Sequence, residues 1–182
     1  MEPRTDEKAE SLSCFLMNDH KRIDAFLQSA TSDLGTIDQG AYDQFRSALL
    51  RHIGMEEKIL LPALQRLQGG TPFPHTTRLR LDHGALAALM MPSPMPPILA
   101  TINAILSVHN RLEEGPDGLY ATCDRLAPSE TDVLIARLRA APDVAVTPPS
   151  DSPAVMKNLH SALERAGYHL TAKETAGENK TQ

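Results

Sequence analysis

The residues best placed to do chemistry are histidines and glutamates that recur in one order in both halves of the chain. The first half has Asp19-His20, followed by His52-Ile53-Gly54-Met55-Glu56-Glu57. The second has Asp82-His83, followed by His109-Asn110-Arg111-Leu112-Glu113-Glu114. Each half reads Asp-His and then His-x-x-x-Glu-Glu. With 7 His and 11 Glu among 182 residues, chance would supply about 0.03 copies of the second element, so two copies mark a duplicated pattern. A spacing of four on an α-helix sets the histidine and the first glutamate one turn apart on one face. His20, His52, His83 and His109 with Glu56 and Glu113 would then offer four imidazoles and two carboxylates to one interior point. Facing helices build two-metal sites in this way. Two carboxylates taken out of water without a cation would be costly, since a buried charge must be paired, protonated or metal-bound.

The donor count limits what such a site could do. If each metal takes two imidazoles and both carboxylates bridge, each has four protein bonds, and a bridging oxygen makes five. One octahedral position per metal stays open. Structural zinc prefers a closed tetrahedral set rich in thiolate, whereas imidazole and carboxylate with a vacancy suit iron or manganese and an exogenous ligand. Dioxygen, peroxide and nitric oxide have the right size.

Helical periodicity dominates the segments that must position these residues, and no alternating β-branched run competes with it. The expected fold class is all-α. A first helix is expected from about Ser11 to Thr31, ending at the Asp33-Leu34-Gly35 turn, and a second from about Ala41 to Leu67, with a bend where Pro62 removes a donor and crowds the carbonyl of Lys58. The third spans about Thr77 to Met91, before Pro92-Ser93-Pro94-Met95-Pro96-Pro97. The fourth runs through Ile98, Ile102, Ile105 and Leu112 towards Leu126, kinked or bulged at Gly115-Pro116-Asp117-Gly118. A short fifth helix follows Ser129-Glu130-Thr131-Asp132, which resembles a capping box. Four long helices with short loops imply an antiparallel up-and-down four-helix bundle. The organisation read from this is an N-terminal tail over 1–10, the bundle over 11–141, and a C-terminal extension over 142–182. That extension contains a Pro-rich linker, a short amphipathic helix with Val155, Met156, Leu159 and Leu163 on one stripe, and a polar tail from Thr171.

Composition narrows the function classes. Eighteen Lys+Arg against 23 Asp+Glu give a net charge of −5, and without a cationic block a phosphate-backbone partner is not expected. Aromatics are 4% and Trp is absent, which argues against stacking platforms for single strands and for a core of Leu, Ile, Ala and Met. No apolar run approaches the roughly 18 residues of a membrane span, and the start lacks the basic-then-apolar order of a signal peptide. A cytoplasmic protein with neither nucleic-acid nor membrane partners is expected. Cys14 and Cys123 read as buried free thiols. Met17, Met90, Met91 and Met95 read as core filler, and His75, His160 and His169 as surface residues. Glu57 and Glu114 read as solvated helix-face charges, although either could gate the pocket or carry protons. Asp24, one turn after His20, is read as an acceptor for an imidazole N–H in preference to a seventh ligand; whether it ligates is left open.

At these residues the chain resembles the hemerythrin-like family, also called the HHE cation-binding domain, over roughly Ser11 to Leu126. The matching stretches are Asn18-Asp19-His20-Lys21-Arg22-Ile23-Asp24, Arg51-His52-Ile53-Gly54-Met55-Glu56-Glu57-Lys58-Ile59-Leu60-Leu61-Pro62, Arg80-Leu81-Asp82-His83-Gly84-Ala85-Leu86 and His109-Asn110-Arg111-Leu112-Glu113-Glu114. The resemblance implies a four-helix bundle around an oxygen-bridged, non-haem centre of two iron ions, with His20, His52, Glu56, His83, His109 and Glu113 on its ligand positions. Oxygen-carrying members have a second histidine four residues after the third-helix histidine, where this chain has Ala87. They also have an aspartate five residues after the fourth-helix histidine, where Glu113 here stands at four. The expected function is therefore a di-iron protein that senses or handles oxygen, redox state, nitric oxide or iron, without reversible oxygen carriage, and with residues 154–167 as a relay to a protein partner. Two alternatives stand beside it. One is a di-iron enzyme that reduces peroxide or nitric oxide or aids iron–sulfur repair, the last disfavoured because no cysteine-bearing module precedes the bundle; the other is a metal-free interaction bundle.

Overall fold

The computed structural model describes residues 10–33 and 36–170. The expected tail before residue 10, the Leu34-Gly35 part of the first turn and the polar stretch from Thr171 lie outside the described residues. Those described form helices and no strand: α1 (Leu12–Ala30), α2 (Gln39–Met55), α3 (Leu61–Leu67), α4 (Thr76–Leu89), α5 (Pro96–Glu114), α6 (Leu119–Leu126), α7 (Thr131–Arg139) and α8 (Pro153–Ala166). None of these helices is long and apolar enough to cross a membrane.

The chain divides into two compact units. The first takes in the described residues up to Thr76 together with Arg111–Val146; the second takes in Thr77–Asn110 and the described residues from Thr147 on. In the first, α1 packs along α2 and also meets α6 and α7. Side-chain oxygens close both long helices at their starts: Ser11 accepts from the Cys14 N–H and Asp38 from the Ala41 N–H. Asp124 on α6 accepts from the Leu12 N–H at 2.9 Å, tying the start of α1 to α6. The core is aliphatic as composition required, with Leu12, Leu16, Leu49, Leu60 and Leu64 buried, and with Tyr42, Phe45 and Tyr120 as its large rings.

In the second unit, α8 buries Leu159, Ala162, Leu163 and Ala166, and leaves Val155 and Met156 partly exposed. Its end is a glycine cap: Gly167 takes φ 75°, and the Tyr168 and Gly167 N–H groups return to the carbonyls of Leu163 and Glu164. The segment before α8 is fixed by Asp151, which accepts from the Ser93 N–H at 2.8 Å and from its hydroxyl at 2.6 Å.

Three expectations about the backbone are corrected. The bend assigned to Pro62 becomes a π-helical turn, Glu56–Leu60, in which the Leu61 N–H reaches back five residues to the Glu56 carbonyl. Widening the turn before the proline spreads the crowding that an α-turn would concentrate at Lys58. The fourth helix does not run on to Leu126 with a kink: it stops at Glu114, and α6 begins anew at Leu119. The capping box at Ser129 is not made, because α7 starts without a side-chain cap and Thr131 instead donates to the Ala127 carbonyl at 3.0 Å.

The break between α5 and α6 depends on glycine. A Cβ at Gly118 would lie 2.5 Å from the Glu113 carbonyl oxygen, and one at Gly115 would lie 2.8 Å from that of Arg111. Gly118→Ala is expected to destabilise the protein by about 1–3 kcal/mol, because backbone must move to make room. Gly84→Ala, in open space within α4, is expected to stabilise by about 0.5–1 kcal/mol through the unfolded chain. Urea titration of the two variants beside the wild type checks the pair; equal shifts would contradict this account of the break.

Candidate metal centre

Four of the residues singled out by the duplicated pattern come together in the first unit. His20 lies in the middle of α1, His52 one turn before the end of α2, Glu56 at the first position of the π turn, and Glu113 next to last on α5. All four are buried, both carboxylates completely. Each offers one donor atom, and these four atoms lie within 4.8 Å of one another. His20 Nε2 stands 2.9 Å from His52 Nε2 and 3.6 Å from Glu113 Oε2, while His52 Nε2 stands 3.3 Å from Glu56 Oε1.

Carboxylates behind the two rings set their orientation. His20 Nδ1 is 2.5 Å from Glu114 Oε1, and His52 Nδ1 is 2.9 Å from Asp19 Oδ2. With each Nδ1 directed at a carboxylate, each Nε2 turns inward, the orientation found in carboxylate–histidine–metal arrangements. Asp19 is itself held: the Arg22 guanidinium donates to Oδ1 at 2.6 and 3.0 Å and leaves Oδ2 for His52.

The second unit has a looser counterpart of this construction. The rings of His83 and His109 are 4.8 Å apart, edge to face. His109 Nδ1 lies 3.5 Å from Asp82 Oδ2, and fully buried Asp82 is held by Arg78 through Nη2 at 2.6 Å and Nε at 3.2 Å. Arg78 also donates to the Ala166 carbonyl at the end of α8 at 2.9 Å and stacks over the Tyr168 ring at 4.8 Å. The aspartate of each Asp-His pair therefore serves the histidine of the next helix, an arrangement latent in the duplicated sequence.

Sequence reasoning missed several participants. Tyr120, fully buried on α6, places its hydroxyl 2.6 Å from Glu56 Oε1, 3.0 Å from His20 Nε2, 3.2 Å from His52 Nε2 and 3.3 Å from Glu113 Oε2. Its only sequence signal is the Gly-Pro-Asp-Gly reversal just after Glu113. Glu114 is not a free helix-face charge, since it anchors His20. Asp24 is exposed and outside the donor cluster, and Asp19 fills the acceptor role expected of it. Cys14 is exposed and only Cys123 is a buried thiol; Met91 and Met95 are exposed as well, so neither is core filler. His75, His160 and His169 lie on the surface as expected.

The electrostatics follow from enclosing two carboxylates. Burial works against a charged His52 ring, but the Glu56 carboxylate, the hydrogen bond to Asp19 and the charge of Glu113 outweigh it and lift the imidazole to about 10. Burial likewise works to raise Asp19, yet the His52 hydrogen bond and charge, with Arg22 behind them, hold it below its ordinary value. Burial first, and then Glu113 and Glu56, push the Tyr120 phenol well above its ordinary range. These oxygen and nitrogen donors could hold a metal ion, and the set contains no thiolate.

No family model, curated protein or solved structure matches the chain.

A cation entering this cluster competes with the His52 proton. Because the folded-state value stands above the unfolded one, that proton contributes fully to the stability of metal-free protein below about pH 6.5, and the contribution fades as the pH climbs towards 10. Urea titrations of chelator-treated protein are expected to show stability falling over that window. Asp19→Asn, which removes one support of the charged ring, is expected to move the fall to lower pH. A flat profile in the wild type would contradict the assignment.

Proposed function

We propose that the chain is a hemerythrin-like non-haem iron protein that holds two iron ions with His20, His52, Glu56, His83, His109 and Glu113. On this reading it senses or handles oxygen, redox state, nitric oxide or iron and does not carry oxygen reversibly. The observation that carries the metal reading is a pair of imidazole Nε2 atoms 2.9 Å apart, each ring anchored from behind by a carboxylate, facing two fully buried carboxylates. The dinuclear reading rests on the duplicated sequence pattern, supported by an Arg–Asp–His series in each unit. It takes α1, α2, α4 and α5 as the helices of an up-and-down bundle. Bound iron would supply one-electron chemistry and an open position for a small diatomic or peroxide ligand; the protein's residues orient the donors and exclude water. Ala87, where oxygen carriers have a histidine, favours sensing or handling over carriage.

Metal content per chain after expression with iron tests this reading directly. Two irons are expected in the wild type, and none in the His52→Ala, His109→Ala double variant. An iron-free wild type would favour the metal-free interaction bundle. The ferrous protein, once exposed to oxygen, is expected to stay oxidised when oxygen is removed, and a return to the ferrous spectrum would mark a carrier.

The sensing half of the proposal draws on Arg78, which touches both Asp82, the partner of His109, and the end of α8. Limited proteolysis between residues 142 and 152 is expected to change with iron oxidation state in the wild type. In Arg78→Met it is expected to be several-fold faster and independent of that state. Equal dependence in both proteins would remove α8 as the relay.

A further inference from the structure

Tyr120 stands where a fifth donor to the first-unit metal would stand. Donors about 2.1 Å from a common ion are about 3.0 Å apart when adjacent in an octahedral set and about 4.2 Å apart when opposite. The Tyr120 oxygen lies 2.6, 3.0, 3.2 and 3.3 Å from the donor atoms of Glu56, His20, His52 and Glu113, so it has the adjacent spacing to all four. A single atom has that relation to four donors when it sits above the square they form. Two edges of that square lie near the adjacent spacing, with His20 to His52 at 2.9 Å and His52 to Glu56 at 3.3 Å, and a third, His20 to Glu113 at 3.6 Å, lies midway between the adjacent and opposite spacings.

A buried phenol needs one hydrogen-bond partner, and Glu56 alone would satisfy it. Contact with all four donor atoms goes beyond that need. The backbone is also arranged to produce it. Gly118 passes so close to the Glu113 carbonyl that a Cβ would lie 2.5 Å from it, and α6 begins at the next residue. The reversal returns Tyr120 to the cluster seven residues after Glu113.

We infer that Tyr120 coordinates the cation held by His20, His52, Glu56 and Glu113 as a phenolate oxygen. The inference rests on the metal reading above and adds a donor that the duplicated His and Glu pattern lacks. When the ion enters, its charge releases the phenol proton to solvent, as bound cations do for coordinated water and thiols. A third anionic oxygen beside two carboxylates favours the ferric over the ferrous ion. The set of five leaves space for one further ligand on an octahedral ion.

The test uses the full chain loaded with iron and oxidised, with iron content measured in parallel. Wild-type protein is expected to show a visible charge-transfer band from phenolate to iron(III), with tyrosine ring vibrations in the Raman spectrum excited within it. Tyr120→Phe keeps the ring and is expected to retain iron while losing both signals, and Tyr42→Phe is expected to keep them. Should Tyr120→Phe fail to fold, 3-fluorotyrosine incorporated at all three tyrosines gives a second readout without mutation, and the band is expected to shift in energy. Iron bound without the band, or a band unmoved by either change, overturns the inference and leaves the metal reading standing. A wild type that binds no iron overturns both.

Discussion

Two carboxylates with no exposure to water, Glu56 and Glu113, are the constraint on which the rest of the first unit depends. Each would be prohibitively costly as an isolated charge in an aliphatic core. Every polar side chain around them answers that cost. His52 is held as a cation by their field, Tyr120 donates to Glu56, and His20 closes on Glu113. Asp19 and Glu114 then fix the rings, and Arg22 fixes Asp19. Along the branch through His52, charges alternate in sign from the carboxylates to Asp19 and Arg22. Such a network is specific as well as stabilising, because each member is oriented by its neighbours.

The backbone departs from regular helix at the two carboxylates. Glu56 opens the π turn that precedes Pro62, and Glu113 lies two residues before Gly115, where the glycine break begins. In both places the irregularity is local and has a covalent cause: a proline that cannot donate, and glycines that alone permit a close backbone pass. Regular helices present donors every fourth residue. A wider turn and a tight reversal add freedom that such a repeat does not have, and the reversal is what returns Tyr120 to the donors.

The helical character, the boundaries of α1, α4 and α8, and four clustered donors were legible in sequence because each depends on local repetition. Apolar periodicity marks a helix, and a duplicated His-x-x-x-Glu-Glu marks a pair of donors on one face. What escaped was non-local. Asp24 and Asp19 both flank His20, and spacing along one helix could not say which would meet a ring from another; the structure chooses Asp19, opposite His52. Tyr120 follows Glu113 at no helical interval, since the chain reverses between them. Glu114 looked solvated because a helix face is judged one helix at a time, while His20 reaches it from α1. The capping box at Ser129 failed for the opposite reason: a local motif lost to an equally local alternative, the bond from Thr131 to the Ala127 carbonyl.

The duplication is closest at the rings and weakest at its outer ends, and that difference points to where the two halves have separate roles. Asp19 is hydrogen-bonded to His52 and Asp82 lies 3.5 Å from His109, and each aspartate is gripped by an arginine on its own helix. Beyond that the series diverge. Arg22 finishes at the surface, 46% exposed, with its guanidinium over the Phe26 ring at 5.8 Å. Arg78 instead spends its remaining donor on the last carbonyl of α8 and its flat face on Tyr168. The His109 ring lies 3.5 Å from Asp82, which Arg78 ties to the last carbonyl of α8, whereas His52 is tied through Asp19 to Arg22 at the surface. In the second unit α8 is thus anchored at its end by Arg78 and, just before its start, by the Ser93–Asp151 clamp.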